Sequence, residues 1–208
     1  MQNQTLYRIN DDISSIFKNA SDLKWNGIRE NTLSRILYLS SVLYNFVYED
    51  KDNPFSKDYN FSTDIRGPYC DSLEASLAFL LSNEYITKDE ETGLYEWIGR
   101  QVAEQNETSD SLSKRDWIKI VIYILGIYGE EKIYDFVYRD PEYEDKLQTN
   151  VPEINLDKGN ETFNVLIQFR NAFEKSIADL KKIKVEPKKY LELYFEYVFS
   201  TILKGEEA

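Results

Sequence analysis

Three stretches of the chain carry side chains of a kind that does chemistry. Asp140-Pro141-Glu142-Tyr143-Glu144-Asp145-Lys146 holds a Glu-x-Lys pair of the sort found in metal-dependent nucleases. Such enzymes need strands that set several carboxylates around one metal ion. Here a proline follows a helical run and no strand pair is evident, so a helix end and a charged loop account for the same residues. Asp50-Lys51-Asp52-Asn53-Pro54 begins like a calcium loop, but it has proline at the fifth position and no glycine at the sixth. A solvated acidic loop is the plainer account. Cys70 stands at the start of a helical run, where a thiol pKa can fall. Its nearest basic neighbour in sequence is Arg66, and a buried structural cysteine fits as well.

Composition narrows the chemistry further. The chain has 208 residues and no histidine, which removes Ser-His-Asp and Cys-His catalysis, histidine metal sites and histidine switches. One cysteine excludes an intramolecular disulfide and Cys-x-x-Cys zinc sites. Eight glycines leave few places for a phosphate-cradling loop. The expectation is a protein with no catalytic residue, no metal and no cofactor. Lysine plus arginine number 25 and aspartate plus glutamate 37, so the net charge is −12 and nucleic acid is repelled over the chain as a whole. With no signal-peptide pattern, no membrane-length apolar run and one unpaired cysteine, the expected compartment is the cytoplasm.

The elements that must position these residues follow from periodicity. A weak helical pattern runs through residues 1–24 on Leu6, Ile9, Ile13, Ile16 and Phe17. Asn31 and Thr32 are caps for a helix reaching about Val47, with Leu33, Ile36, Leu37, Val42, Leu43 and Phe46 on a wide apolar face. Residues 49–66 read as a polar connection and Gly67-Pro68 as a turn. A helix to Asn83 carries the stripe Leu73, Leu77, Leu80 and Leu81, expected to pack on the helix before it. Two short β-prone runs between Tyr85 and Ile98 read as a hairpin. Residues 99–113 read as loop. Residues 114–128 are apolar nearly all round, which predicts burial on every side. A short helix follows to Arg139, residues 141–160 read as irregular, and two more helices are predicted over about 161–184 and 188–203.

This order gives a mainly α fold: a winged-helix-like core with one short β-hairpin wing plus C-terminal helices. Residues 1–99 form the core with an N-terminal helical extension. Residues 112–208 form a helical part packing on it, as a second module or as one continuous domain. An αα-hairpin followed by a β-hairpin is the alternative. A DNA-reading helix offers Arg, Lys, Asn or Gln to bases and phosphates. From Tyr69 to Asn83 the only charges are Asp71 and Glu74, and the wing runs Lys88-Asp89-Glu90-Glu91. The core is therefore expected to meet protein rather than DNA. Tyr190, Tyr194, Tyr197 and Phe195 crowd the last helix and are candidate partner-binding residues, with an aromatic core as the alternative. Lys181, Lys182, Lys184, Lys188 and Lys189 form the best basic patch, or a solvated helix end.

Longer phrases carry a resemblance. Trp25-Asn26-Gly27-Ile28-Arg29-Glu30-Asn31-Thr32-Leu33 leads into Ile36-Leu37-Tyr38-Leu39, and Arg66-Gly67-Pro68-Tyr69 opens the next helix. Ile127-Tyr128-Gly129-Glu130-Glu131-Lys132-Ile133-Tyr134 precedes Arg139-Asp140-Pro141-Glu142-Tyr143. Over about residues 20–150 the chain resembles the middle component of bacterial three-component ABC-ATPase systems, which include Lamassu-type anti-phage defence. The resemblance implies a non-catalytic accessory subunit beside an SMC-like coiled-coil ATPase and an effector subunit. It implies DNA contact only indirectly through the complex, no membrane, and no active-site residue. The competing expectation is a winged-helix transcriptional regulator or antitoxin that binds DNA or a toxin, using the lysine patch.

Overall fold

The computed structural model describes residues 2–99, 109–176 and 185–206. Its central element is α2 (Glu30–Val47), in which every residue from Thr32 to Phe46 is buried. Polar residues inside that stretch would oppose burial if left unpaired. Ser40 and Ser41 donate their hydroxyls back to the carbonyls of Ile36 and Leu37, at 2.8 and 2.7 Å. Ser34 donates to Pro68 O at 2.5 Å, and Asn45 Nδ2 to Leu156 O at 3.1 Å. The helix starts one residue before its expected caps. Thr32 instead donates its hydroxyl to Glu130, at 2.6 Å.

Around α2 lie α1 (Gln2–Asp22) and α4 (Ser109–Gly126), which pack on each other. Ile9, Ile13, Ile16 and Phe17 of α1 are all buried, as their spacing predicts. In α4, Trp117, Ile118, Val121, Ile122 and Leu125 are buried, and Trp117 Nε1 donates to Ser40 O at 2.6 Å. Yet Tyr123 is exposed, and Ile127 just past the helix end is 78% exposed. Burial of α4 on every side is thus corrected: the helix enclosed all round is α2.

The connection after α2 is not a simple loop. It folds into a hairpin of β1 (Ser62–Asp64) and β2 (Gly67–Tyr69), with Ser62 opposite Tyr69 and Asp64 opposite Gly67. Gly67-Pro68 lies in a strand, and the turn falls one step earlier. Because β2 lies against α2, the next helix, α3 (Asp71–Ser82), packs on α1 instead. Tyr7 and Phe79 meet edge to face there, with ring centres 6.4 Å apart. This corrects the expected packing of the α3 leucine stripe on α2.

The second hairpin is as predicted: β3 (Ile86–Lys88) pairs antiparallel with β4 (Tyr95–Trp97). Ile28, between α1 and α2, joins its edge, donating to Tyr95 O at 2.9 Å and accepting from Tyr95 N at 3.0 Å. Then follow α5 (Glu130–Tyr138), α6 (Pro141–Thr149), α7 (Glu161–Ser176) and α8 (Pro187–Glu206). Helix α6 stands where irregular chain was expected. Pro141 occupies its first turn and Asp140 caps it, accepting from Tyr143 N at 3.2 Å. Proline without an N–H suits that position. Pro187 likewise opens α8 rather than only breaking the helix before it. One apolar core runs from Ile9 to Phe199, so the C-terminal helices complete the same core as the N-terminal ones. Among the described residues, no helix is long and apolar enough to cross a membrane.

Candidate interaction site

The turn from Asp64 to Gly67 is held in an unusual way. Three successive carbonyls each accept a hydrogen bond from a different helix. Tyr143 of α6 donates its hydroxyl to Asp64 O, and Tyr138 of α5 donates to Ile65 O. Arg35 of α2 donates Nη2 to Arg66 O at 2.7 Å. Gly67 makes the close approach possible. Its φ is +123°, and a Cβ there would sit 3.2 Å from Arg35 Nε. On the outer side, Asp64 Oδ1 accepts from Arg66 N at 2.9 Å and from its Nε at 3.2 Å. These bonds hold the Asp64 carboxyl below its ordinary range.

The consequence is a fixed apolar peg. Ile65 is 86% exposed, more than any other large apolar side chain among the described residues. Tyr134 is exposed nearby and lies over the Arg35 guanidinium at 4.6 Å. Tyr134 in turn stacks on Tyr138 with ring centres 4.4 Å apart. A side chain presented by a backbone already fixed loses less freedom when a partner covers it. Sequence reasoning singles out neither Ile65 nor Arg35. The available signals were an isoleucine between Asp64 and Arg66 next to a glycine-proline turn, and tyrosines at 134 and 138, one helical turn apart.

The aromatic residues of α8 do something else. Tyr190, Tyr194 and Phe195 are buried, which corrects their assignment to a partner surface. Phe195 stacks on Phe136 of α5 at 4.3 Å between ring centres, Tyr194 meets Phe169 of α7 edge to face at 5.6 Å, and Tyr190 meets Phe173 at 5.7 Å. The helix is aromatic because it fills the gap between α5 and α7. Tyr190 also donates its hydroxyl to Glu174 Oε1 at 3.0 Å. Tyr190→Phe is expected to cost about 1 kcal/mol in urea unfolding, the worth of one such bond, whereas loss of partner binding with stability unchanged would restore the surface role. Tyr197 alone of the four is exposed, at 60%.

Of the lysine patch, Lys181, Lys182 and Lys184 lie outside the described residues. Lys188 and Lys189 are exposed, and Lys189 pairs with Glu192 at 2.7 Å. The outward side of α3 carries Asp71 and Glu74, and the β3–β4 hairpin carries exposed Asp89, Glu90, Glu91 and Glu96 beside Lys88. Glu142 and Lys146, the Glu-x-Lys pair's neighbourhood, form a structural clasp. Glu142 is buried and accepts from the backbone N–H groups of Asn155 and Glu161, each at 2.9 Å. No group of three or more metal-ligating side chains occurs among the described residues. Cys70 is buried, with Sγ 3.0 Å from Ser72 Oγ.

A second polar cluster lies inside the fold. Lys114 of α4 is buried and sits 2.5 Å from Asp12 and 2.9 Å from Asp58. Tyr59 donates to Asp12 at 2.9 Å, and Arg8 pairs with Asp58 at 2.6 Å. The two carboxylates hold Lys114 in its charged form, raising its pKa against the pull of burial. A lysine so held is a poor nucleophile or base, and the cluster ties α1, α4 and residues 54–59 together. No family model, curated protein or solved structure matches this chain.

Proposed function

We propose that this chain is a non-catalytic accessory subunit that acts in the cytoplasm by binding other proteins. The observation that carries the reading is the clasped turn: three side chains from three helices are spent on holding Ile65 out in solvent. An isoleucine in that position contributes nothing to the fold, and a docking peg is the use that fits it.

Two further features support protein contact. The order of α1, the Ile28 bridge, α2, α3 and the β3–β4 hairpin is compatible with the winged-helix reading, with residues 48–70 inserted before α3. In a DNA-binding winged helix the equivalents of α3 and the hairpin would face the duplex, yet here their exposed charges are almost all acidic. The resemblance noted in the sequence names the partners: an SMC-like ABC ATPase, an effector, or both, in an anti-phage or anti-plasmid complex.

The test is affinity purification of the tagged chain from its native cell, with nuclease treatment to exclude DNA bridging. A large coiled-coil ATPase is expected in stoichiometric amount. Ile65→Asp is expected to lower its recovery at least about tenfold, because a charge in an apolar pocket costs well over 1.4 kcal/mol of binding. The thermal midpoint of the free chain stays unchanged. Recovery of the chain alone, or of DNA as its sole partner, sinks the reading.

A further inference from the structure

Arg35 differs from the other cations of the fold that are held by carboxylates. Lys114, the other buried cation among the described residues, has two carboxylate partners. Arg35 is 8% exposed and forms no ion pair with any carboxylate of the described residues. Acidic side chains outnumber basic ones 37 to 25, so a carboxylate partner is the ordinary outcome for a cation here. Its guanidinium makes a single hydrogen bond, from Nη2 to Arg66 O, and its Nε is buried without a partner against Gly67. Tyr134 covers one face of the group. Glu130, whose field reaches Arg35, is engaged by Thr32 at 2.6 Å and by Arg29 at 3.3 Å.

Such a cation is desolvated, fixed by its own hydrogen bond and left without a counter-charge. Burial accordingly loosens its proton. A carboxylate that arrives from outside meets a charge already partly withdrawn from water and already oriented, which makes the new bond stronger than one to a fully solvated arginine. Nη1 makes no hydrogen bond among the described residues and is the nitrogen left for it.

We propose that Arg35 is the receptor for one carboxylate of a protein partner, an Asp or Glu side chain that enters beside Tyr134 while apolar partner surface covers Ile65. The proposal rests on the accessory-subunit reading for its setting and adds the chemistry that the partner must present. A protein carboxylate fits better than a nucleic-acid phosphate. The chain carries −12 overall, so a run of phosphates is repelled where one carboxylate among apolar contacts is not.

The experiment uses the full chain, nitrogen-15-labelled, titrated with acetyl-Leu-Glu-Leu amide and with its glutamine counterpart. The Arg35 Nε–H and Tyr134 ring resonances are followed by NMR. The glutamate peptide is expected to bind at least about tenfold more tightly than the glutamine peptide. That preference disappears in Arg35→Met and survives in part in Arg35→Lys, which keeps the charge. Tyr138→Phe loosens the turn without touching the charge and keeps the preference, which separates a binding role for Arg35 from a structural one. Equal binding of the two peptides, no response at millimolar peptide, or an undiminished preference in Arg35→Met overturns the proposal. So does a short DNA duplex that displaces the glutamate peptide from these resonances. If Ile65→Asp abolishes partner recovery while the peptides bind equally, the inference fails and the accessory reading stands. If the glutamate preference holds while Ile65→Asp leaves recovery intact, the reverse is true.

Discussion

Lys114→Met is expected to destabilise the fold by about 3–5 kcal/mol, the range for removing one partner of a buried charge pair. The methionine keeps the length of the side chain, so the loss reports on charge rather than on a cavity. It leaves Asp58 with Arg8, and Asp12 with only the Tyr59 hydroxyl. Burial pushes the Asp12 carboxyl up to about 6 even with Lys114 beside it. Without the lysine, the native state holds Asp12 protonated at neutral pH, and folding takes up a proton there. Urea unfolding of the wild type, Lys114→Met, Asp12→Asn and the double variant gives the coupling directly. The double variant is expected to be more stable than Lys114→Met alone, because it removes the stranded carboxylate. A loss below about 1 kcal/mol in Lys114→Met, or additive effects in the double variant, contradicts this account of the cluster.

That cluster also shows where sequence stops being legible. Periodicity gives α1, α2, α3, α4 and the β3–β4 hairpin, because each has an apolar face or a short β-prone run that local pattern alone exposes. It does not give β1 and β2, whose three residues each lack alternation. They pair because α2, α5 and α6 grip their turn, and those helices are distant in sequence. Pro141 after a helical run reads as a stop, although Asp-Pro-Glu is equally a cap, a first-turn proline and a first-turn acid. Both readings use the same residues, and only the chain beyond 145 decides between them. The α8 aromatics mark the same limit for the site. A helix with rings on several faces suits an interface or a slot between two helices, and the slot is made by α5 and α7. Lys114 opens a strongly apolar run and looks like a surface residue until Asp12 and Asp58 are placed beside it.

Lowering the pH from 7 to 5 is expected to stabilise this protein, against the usual direction for an acidic chain rich in ion pairs. The reason is Asp140. It is buried with no cation beside it, and burial pushes its carboxyl up to about 6, although Tyr38, Thr162 and Tyr143 N all donate to it. In the unfolded chain the same group titrates near 3.8. Between those values the native state binds a proton that the unfolded state releases, so stability is full below about 4 and falls as pH rises through about 6. A shift of that size is worth about 3 kcal/mol in all, of which about 1 kcal/mol is gained between pH 7 and pH 5. Asp12 adds to the trend in the same window. Asp140→Asn mimics the protonated group, since its amide still accepts from Tyr38 and can donate to Thr162 Oγ1. The variant is expected to lose about half of the pH 7-to-5 gain, leaving the part that belongs to Asp12. Unfolding midpoints in urea at pH 5, 6 and 7 for both proteins test this. Equal slopes in the two would mean that Asp140 is ionised throughout, held so by its three donors, and that relief of the −12 charge accounts for the whole trend.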